Sequence, residues 1–184
     1  MQTKKAAMIL AEGFEETEAV VVIDVLRRAG VDVALVGLAD QEWVVGSHGL
    51  RLGLDHGLDG LEVASLDLLV LPGGMPGTRN LAAAEGVVET LKAADQNGLV
   101  IGAICAAPSV LAVAGLLGGR RVTCYPGIEE ELPEAVYTGA RVEKDGRLIT
   151  ANGPGSAFDF AFMLLTELGL NRAARRLRKA MLVD

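Results

Sequence analysis

The chain has 184 residues, 51% of them hydrophobic and 22% charged, the usage of an ordinary globular protein rather than of a disordered or fibrous one. Its net charge of -7 argues against a nucleic-acid or anionic-membrane partner, because phosphate recognition relies on Lys and Arg; the basic run at 172–179 is a local exception. No apolar stretch suffices to span a membrane and no cleavage-site pattern follows the N-terminus, so the expectation is a cytoplasmic protein folded as one domain over residues 1–184.

Residues 5–11 read as a buried strand, and Glu12-Gly13-Phe14 as a loop. Over 15–28 apolar residues recur at helical spacing, at Val21, Val22, Val25 and Leu26, and Ala29-Gly30 ends the helix. Residues 31–36 form a second strand, apolar enough for a parallel sheet covered on both faces. The stretch 43–54 alternates imperfectly and is interrupted by Gly46, Gly49 and Gly53, which predicts a short hairpin on the edge or face of the sheet. A strand at 66–71 runs into Pro72-Gly73-Gly74-Met75-Pro76-Gly77, a loop whose glycines permit unusual backbone angles and expose main-chain N–H groups.

Residues 85–94 are helical, 99–104 a strand, and 108–117 a helix closed by Gly118-Gly119. Residues 121–124 read as a strand, and 141–143 with 148–150 as a hairpin through Lys144-Asp145-Gly146. After the loop Asn152-Gly153-Pro154-Gly155, Ser156 is the expected cap of a helix to about 168, and Asn171 of an amphipathic helix to about 182. Strands alternating with helices make a doubly wound α/β sandwich around a mainly parallel sheet. Such sheets bind ligands beyond the carboxyl ends of their strands, where residues 12–18, 72–77, 105 and 152–155 all fall.

The stretch 98–108 carries the chemistry. An apolar run ends abruptly on Cys105, and a helix-compatible segment follows, with the small residues Ala103 and Ala107 on either side. This is the pattern of a strand-to-helix elbow whose apical residue is forced into a strained conformation. A free cysteine is by itself more often core packing than catalyst, but a helix N-terminus favours the thiolate. The dipole contributes at most about 2 kcal/mol, which lowers an ordinary thiol by roughly one and a half pH units, to about 7. A second donor is therefore expected.

Glu15, Glu16 and Glu18 lie in the first turn of the first helix, at the same end of the sheet. Glu15 and Glu16 read most simply as complements of the helix dipole. Glu18 faces inward; a buried Glu beside a thiolate has its pKa raised, stays protonated, donates to sulfur and can act as general acid/base. The N–H groups of Gly73 and Gly74, with that of Ala106, form a candidate oxyanion hole. The loop is not a phosphate loop, since it lacks the Gly-x-x-x-x-Gly-Lys-Ser/Thr pattern. Of two histidines, His56 has no evident partner, and His48 in the hairpin reads as a surface residue or a contact across a dimer interface. Neither makes an evident Cys-His dyad. Cys105 and Cys124 lack metal-ligand or disulfide spacing, and no metal or cofactor is expected.

These residues resemble the ThiJ/PfpI superfamily, in the branch that contains the parkinsonism-associated deglycase and the bacterial YajL chaperone. The resemblance covers nearly the whole chain. It rests on Glu-Glu-Thr-Glu-Ala (15 to 19) with Asp-Val-Leu-Arg-Arg-Ala-Gly (24 to 30), Leu-Pro-Gly-Gly (71 to 74), Ala-Ile-Cys-Ala-Ala-Pro (103 to 108), Arg-Val-Glu-Lys-Asp-Gly (141 to 146) and Gly-Pro-Gly-Ser-Ala-Phe-Asp-Phe (153 to 160). It implies a flavodoxin-like homodimer in which Cys105 is the reactive, oxidation-sensitive cysteine, Glu18 its protonated partner, and Gly73, Gly74 and Ala106 line an anion pocket. The activity it implies is cofactor-independent removal of small dicarbonyls, free or as adducts on thiols and amines; the alternative is a redox sensor or redox-regulated chaperone. Tyr125 stands where some relatives carry a histidine, and His48 where relatives place an arginine. Ala106 replaces the histidine that follows the nucleophile in the protease-like branch, which disfavours a peptidase.

Overall fold

The structure, a computed structural model, describes residues 3–183. In chain order the elements are β1 (Lys5–Leu10), α1 (Glu16–Arg28), β2 (Asp32–Gly37), β3 (Trp43–Val45), β4 (Arg51–Gly53), β5 (His56–Gly57), β6 (Leu68–Leu71), α2 (Gly77–Ala83), α3 (Glu85–Gln96), β7 (Val100–Ile104), α4 (Pro108–Val113), β8 (Arg121–Val122), β9 (Val136–Tyr137), β10 (Val142–Asp145), β11 (Leu148–Ala151), α5 (Ala157–Glu167) and α6 (Asn171–Ala180), with short single turns between some of them.

The central sheet has seven strands in the order β10-β11-β7-β6-β1-β2-β5, parallel throughout except for the antiparallel β10–β11 pair. Its middle strands are apolar along their length because both faces are covered. In β1, Ala6, Met8 and Leu10 point into a core formed with α1, α5 and α6. Ala7 and Ile9 point into the opposite core, against α2, α3 and α4. This is the expected doubly wound sandwich with a mainly parallel sheet.

Several elements depart from the sequence reading. The β3–β4 hairpin forms a two-stranded sheet of its own, while His56–Gly57 supplies the sheet edge beyond β2. The helix expected over 108–117 ends at Val113, where Gly115 takes a left-handed φ of 72°. Thr123 and Cys124 leave the strand expected at 121–124: β8 pairs with β9 outside the main sheet, and Thr123 N–H donates to Thr150 Oγ1 (2.9 Å). Neither expected side-chain cap forms. The Ser156 hydroxyl donates back to Gly153 O (2.8 Å), and α6 starts at Asn171 with Leu170 in the cap position. Among the described residues, no helix is long and apolar enough to cross a membrane.

Candidate active site

Strands β11, β7, β6 and β1 are consecutive in the sheet, so the loops that follow them meet at one rim. Cys105 sits at the end of β7 with φ of 64°, a left-handed conformation that costs a non-glycine residue about 1–3 kcal/mol and persists only where the surroundings over-determine it. They do so here. Cys105 N–H donates to Ala151 O of β11 (2.8 Å), and Cys105 O accepts from Tyr125 N–H (2.9 Å). Ala103 and Ala107 are fully buried beside it, as a tight elbow requires.

Glu18 is fully buried on α1. Its Oε2 accepts from Gly73 N–H (2.7 Å), while Oε1 has no hydrogen-bond partner among the described residues. A Cβ built on Gly73 would lie 2.6 Å from Cys105 Cβ, 2.9 Å from Glu18 Oε2 and 3.1 Å from Ala106 N. Glycine is therefore obligatory there, and the nucleophile, the carboxyl and an elbow N–H surround one small space. Gly74 takes φ of 92° and packs against the backbone of residues 13–15. Two hydrogen bonds tie these loops together, from Glu15 N–H to Gly73 O (2.9 Å) and from Gly77 N–H to Gly13 O (3.2 Å). The three backbone donors expected to act together divide: Gly73 N–H serves Glu18, and those of Gly74 and Ala106 face the Cys105 sulfur.

Burial pushes the Glu18 carboxyl from 4.5 up to about 7, against the Gly73 N–H and the Cys105 thiol, which favour its charge. Burial also pushes the Cys105 thiol up to about 12, helped by the Glu18 carboxylate beside it, while the Ala106 and Gly74 N–H groups pull the other way. Burial and the neighbouring carboxylate thus oppose the lowering expected from the helix terminus. A helix of six residues sets up a weak terminus, and desolvation and a neighbouring negative charge outweigh it. The charged carboxyl and the charged thiol therefore disfavour each other, and burial disfavours both charges.

Glu15 and Glu16 do more than complement a dipole. Glu15 is the N-cap of α1, its carboxylate accepting from Glu18 N–H (2.7 Å); the Glu-x-x-Glu spacing resembles a capping box and is the signal available in the sequence. Glu16 is buried and holds the tip of the β3–β4 hairpin, accepting from His48 N–H (2.5 Å), Ser47 Oγ (3.2 Å) and Leu50 N–H (3.4 Å) and pairing with His48 Nδ1 (2.9 Å). Burial raises its pKa, but these bonds outweigh that and bring it down to about 2. The His48 pKa is raised by its bond to Glu16, and the ring stays 78% exposed. The ligating atoms of Glu15, Glu16 and His48 lie within 4.8 Å of one another, a proximity that these hydrogen bonds account for.

Cys124 is buried and Cys105 partly exposed, both as free thiols. A cleft of about 390 Å³ between Ala112 and Glu134 is lined by none of Cys105, Glu18 and Gly73. Comparison with known proteins gives the family. The profile of the DJ-1/PfpI family matches residues 4–167. The chain is 41% identical over 174 residues to the Parkinson disease protein 7 homolog of Danio rerio, covering 91% of each chain. It is 37% identical over 172 residues to the glutathione-independent glyoxalase DJR-1.2 of Caenorhabditis elegans, again covering 91% of each. The crystal structure of Drosophila melanogaster DJ-1beta superposes with a TM-score of 0.94 at 38% identity, over 100% of both chains. By sequence, by fold and by the elbow at its centre, the chain belongs to the DJ-1/PfpI family.

Proposed function

We propose that the protein converts small reactive dicarbonyls, methylglyoxal or glyoxal, into hydroxy acids without a cofactor, acting on them free or as adducts on thiols and amines. The observation that carries this reading is the enclosure of one small space by Cys105, Glu18 and the Ala106 N–H, with the Gly74 N–H also aimed at the sulfur. As Sγ bonds to the aldehyde carbon, the Glu18 carboxylate takes the thiol proton and the carbonyl electron pair moves onto oxygen, where the N–H groups of Gly74 and Ala106 hold it. Glu18 returns its proton to that oxygen, giving a hemithioacetal and restoring the carboxylate. Glu18 then carries the proton on the former aldehyde carbon to the neighbouring carbonyl carbon, while the hydroxyl proton passes to that carbonyl's oxygen, leaving a thioester. Water cleaves the thioester, releasing lactate from methylglyoxal and restoring the thiol. A carboxyl near pKa 7 suits a base that must give its proton back. The name of the Caenorhabditis elegans relative, a glutathione-independent glyoxalase, supports the same chemistry.

The test is lactate formation from methylglyoxal, with and without glutathione or a glycated peptide, by the wild type, Cys105→Ser and Glu18→Gln. Loss of the base is expected to cost roughly 10²–10⁴-fold, and undiminished turnover by either variant overturns the reading. The glutathione and peptide arms separate a glyoxalase from a deglycase. A second reading, oxidation of Cys105 in a redox sensor or redox-regulated chaperone, is favoured by the unpartnered Glu18 Oε1. Once protonated, that oxygen can donate to a sulfinate. The same panel under mild peroxide, read by mass spectrometry, decides it: oxidation of Cys124 with Cys105 spared excludes the sensor.

We infer further that the chain works as a homodimer. Val20, Trp43 and Leu50 are exposed on α1 and the adjoining hairpin, and His48, exposed at the hairpin tip, is the proposed contact with the second copy.

A further inference from the structure

Tyr125 borders Cys105 on the side away from Glu18. In the sheet β7 leads directly into Cys105; β6 and β1 lie to one side and β11 to the other. Tyr125 belongs to the β11 side. Its N–H donates to Cys105 O (2.9 Å), which fixes its main chain to the elbow, and its ring lies over Gly153 after β11. A Cβ on Gly153 would be 3.4 Å from Tyr125 Cδ2 and 3.9 Å from Cε2. Gly153, with φ of 153° and ψ of -173°, occupies a region open essentially to glycine alone. It makes a ledge free of side chain, on which one edge of the ring rests. The residue as a whole is 50% exposed, and its hydroxyl makes no hydrogen bond among the described residues. A half-exposed aromatic residue whose main chain is bonded to the elbow, and whose ring packs on the loop after β11, has surface to offer to a ligand at that rim.

We propose that Tyr125 is a specificity-determining residue of the Cys105 site. Its exposed ring receives the part of the substrate beyond the reacting carbonyl and favours compounds whose substituent is planar or cationic, an aryl group or an arginine-borne adduct, over methylglyoxal and glyoxal. Rings stack on rings and guanidinium groups lie over them, whereas a methyl group has no face to stack. The substrate class rests on the carbonyl chemistry proposed above; the subsite rests on the surroundings of the thiol.

The test therefore has two readouts. In the first, the rates at which Cys105 is alkylated by N-phenylmaleimide and N-methylmaleimide are measured by mass spectrometry for the wild type, Tyr125→Ala and Tyr125→Phe. The phenyl-to-methyl ratio is expected to fall about fivefold or more in Tyr125→Ala and to hold in Tyr125→Phe. In the second, kcat/KM for phenylglyoxal relative to methylglyoxal falls in parallel, through KM. An unchanged maleimide ratio in Tyr125→Ala overturns the subsite, as does an equal loss with both reagents, the mark of a structural role. A maleimide ratio that falls as expected, in a protein that turns over neither glyoxal, establishes the subsite and overturns the carbonyl reading.

Discussion

Glu18 carries a cost that the fold bears for the sake of the site. Its carboxyl is fully buried with one hydrogen-bonded oxygen, and its pKa rises from 4.5 to about 7. A carboxyl that holds its proton more tightly when folded makes the protein less stable as pH climbs from about 4.5 to 7, and the whole penalty is present above that. The shift corresponds to up to about 3 kcal/mol. Glu18→Gln, which keeps the shape and removes the charge, should therefore be more stable than the wild type by up to about 3 kcal/mol at pH 8. The two should be nearly equal at pH 4.5. Urea denaturation at the two pH values measures this, and a gap that fails to widen with pH contradicts a buried, ionised Glu18. Gaining stability while losing turnover is the usual trade at a catalytic position.

At the level of elements, the β3–β4 hairpin is held to α1 by a carboxylate on one side and a histidine on the other, and the two titrate in opposite senses. Glu16, lowered to about 2, contributes fully above about pH 4.5 and is lost as pH falls toward 2. His48, raised by Glu16, contributes fully below about pH 6.5 and is lost as pH rises through its folded value. Hydrogen-exchange protection of the His48 and Leu50 amides should be greatest between those limits and should drop in Glu16→Gln; equal protection in the variant would contradict the latch. Long elements were legible in the sequence because apolar periodicity needs length to show. β1, α1, β6, β7 and α5 stand where their patterns place them, and the break at Cys105 marks the elbow. β5 and β9, two residues each, have no room for a pattern, and α2 begins on Gly77 directly after a proline with no capping side chain. The residues that the fold brings together at the rim were legible as a set, but the burial that opposes ionisation of the thiol was not. Local sequence predicts the helix terminus, whereas burial and the approach of Glu18 belong to the tertiary fold. Glu16 likewise read as one more acid in a first turn until the hairpin was seen folded over it.

For the molecule as a whole, the exposed apolar residues at the α1–hairpin surface predict self-association. Trp43 is 51% exposed, with the Arg51 guanidinium 5.5 Å from its ring centroid. Sedimentation should give twice the chain mass for the wild type and a single-chain mass for the double variant Trp43→Glu, Leu50→Glu; a monomeric wild type overturns the dimer. The two ends of the central sheet limit how copies can meet. One end is β5, only two residues long, too short to template another chain. The other is β10, where Glu143 pairs with Arg121, Lys144 pairs with Glu167, and Asp145 accepts from Arg121 N–H. Charged, occupied and very short edges are how soluble sheets resist growing strand by strand into fibres. A seven-stranded apolar sheet is thereby kept from propagating, and the concentration of the protein can rise without the parallel core becoming a seed for aggregation.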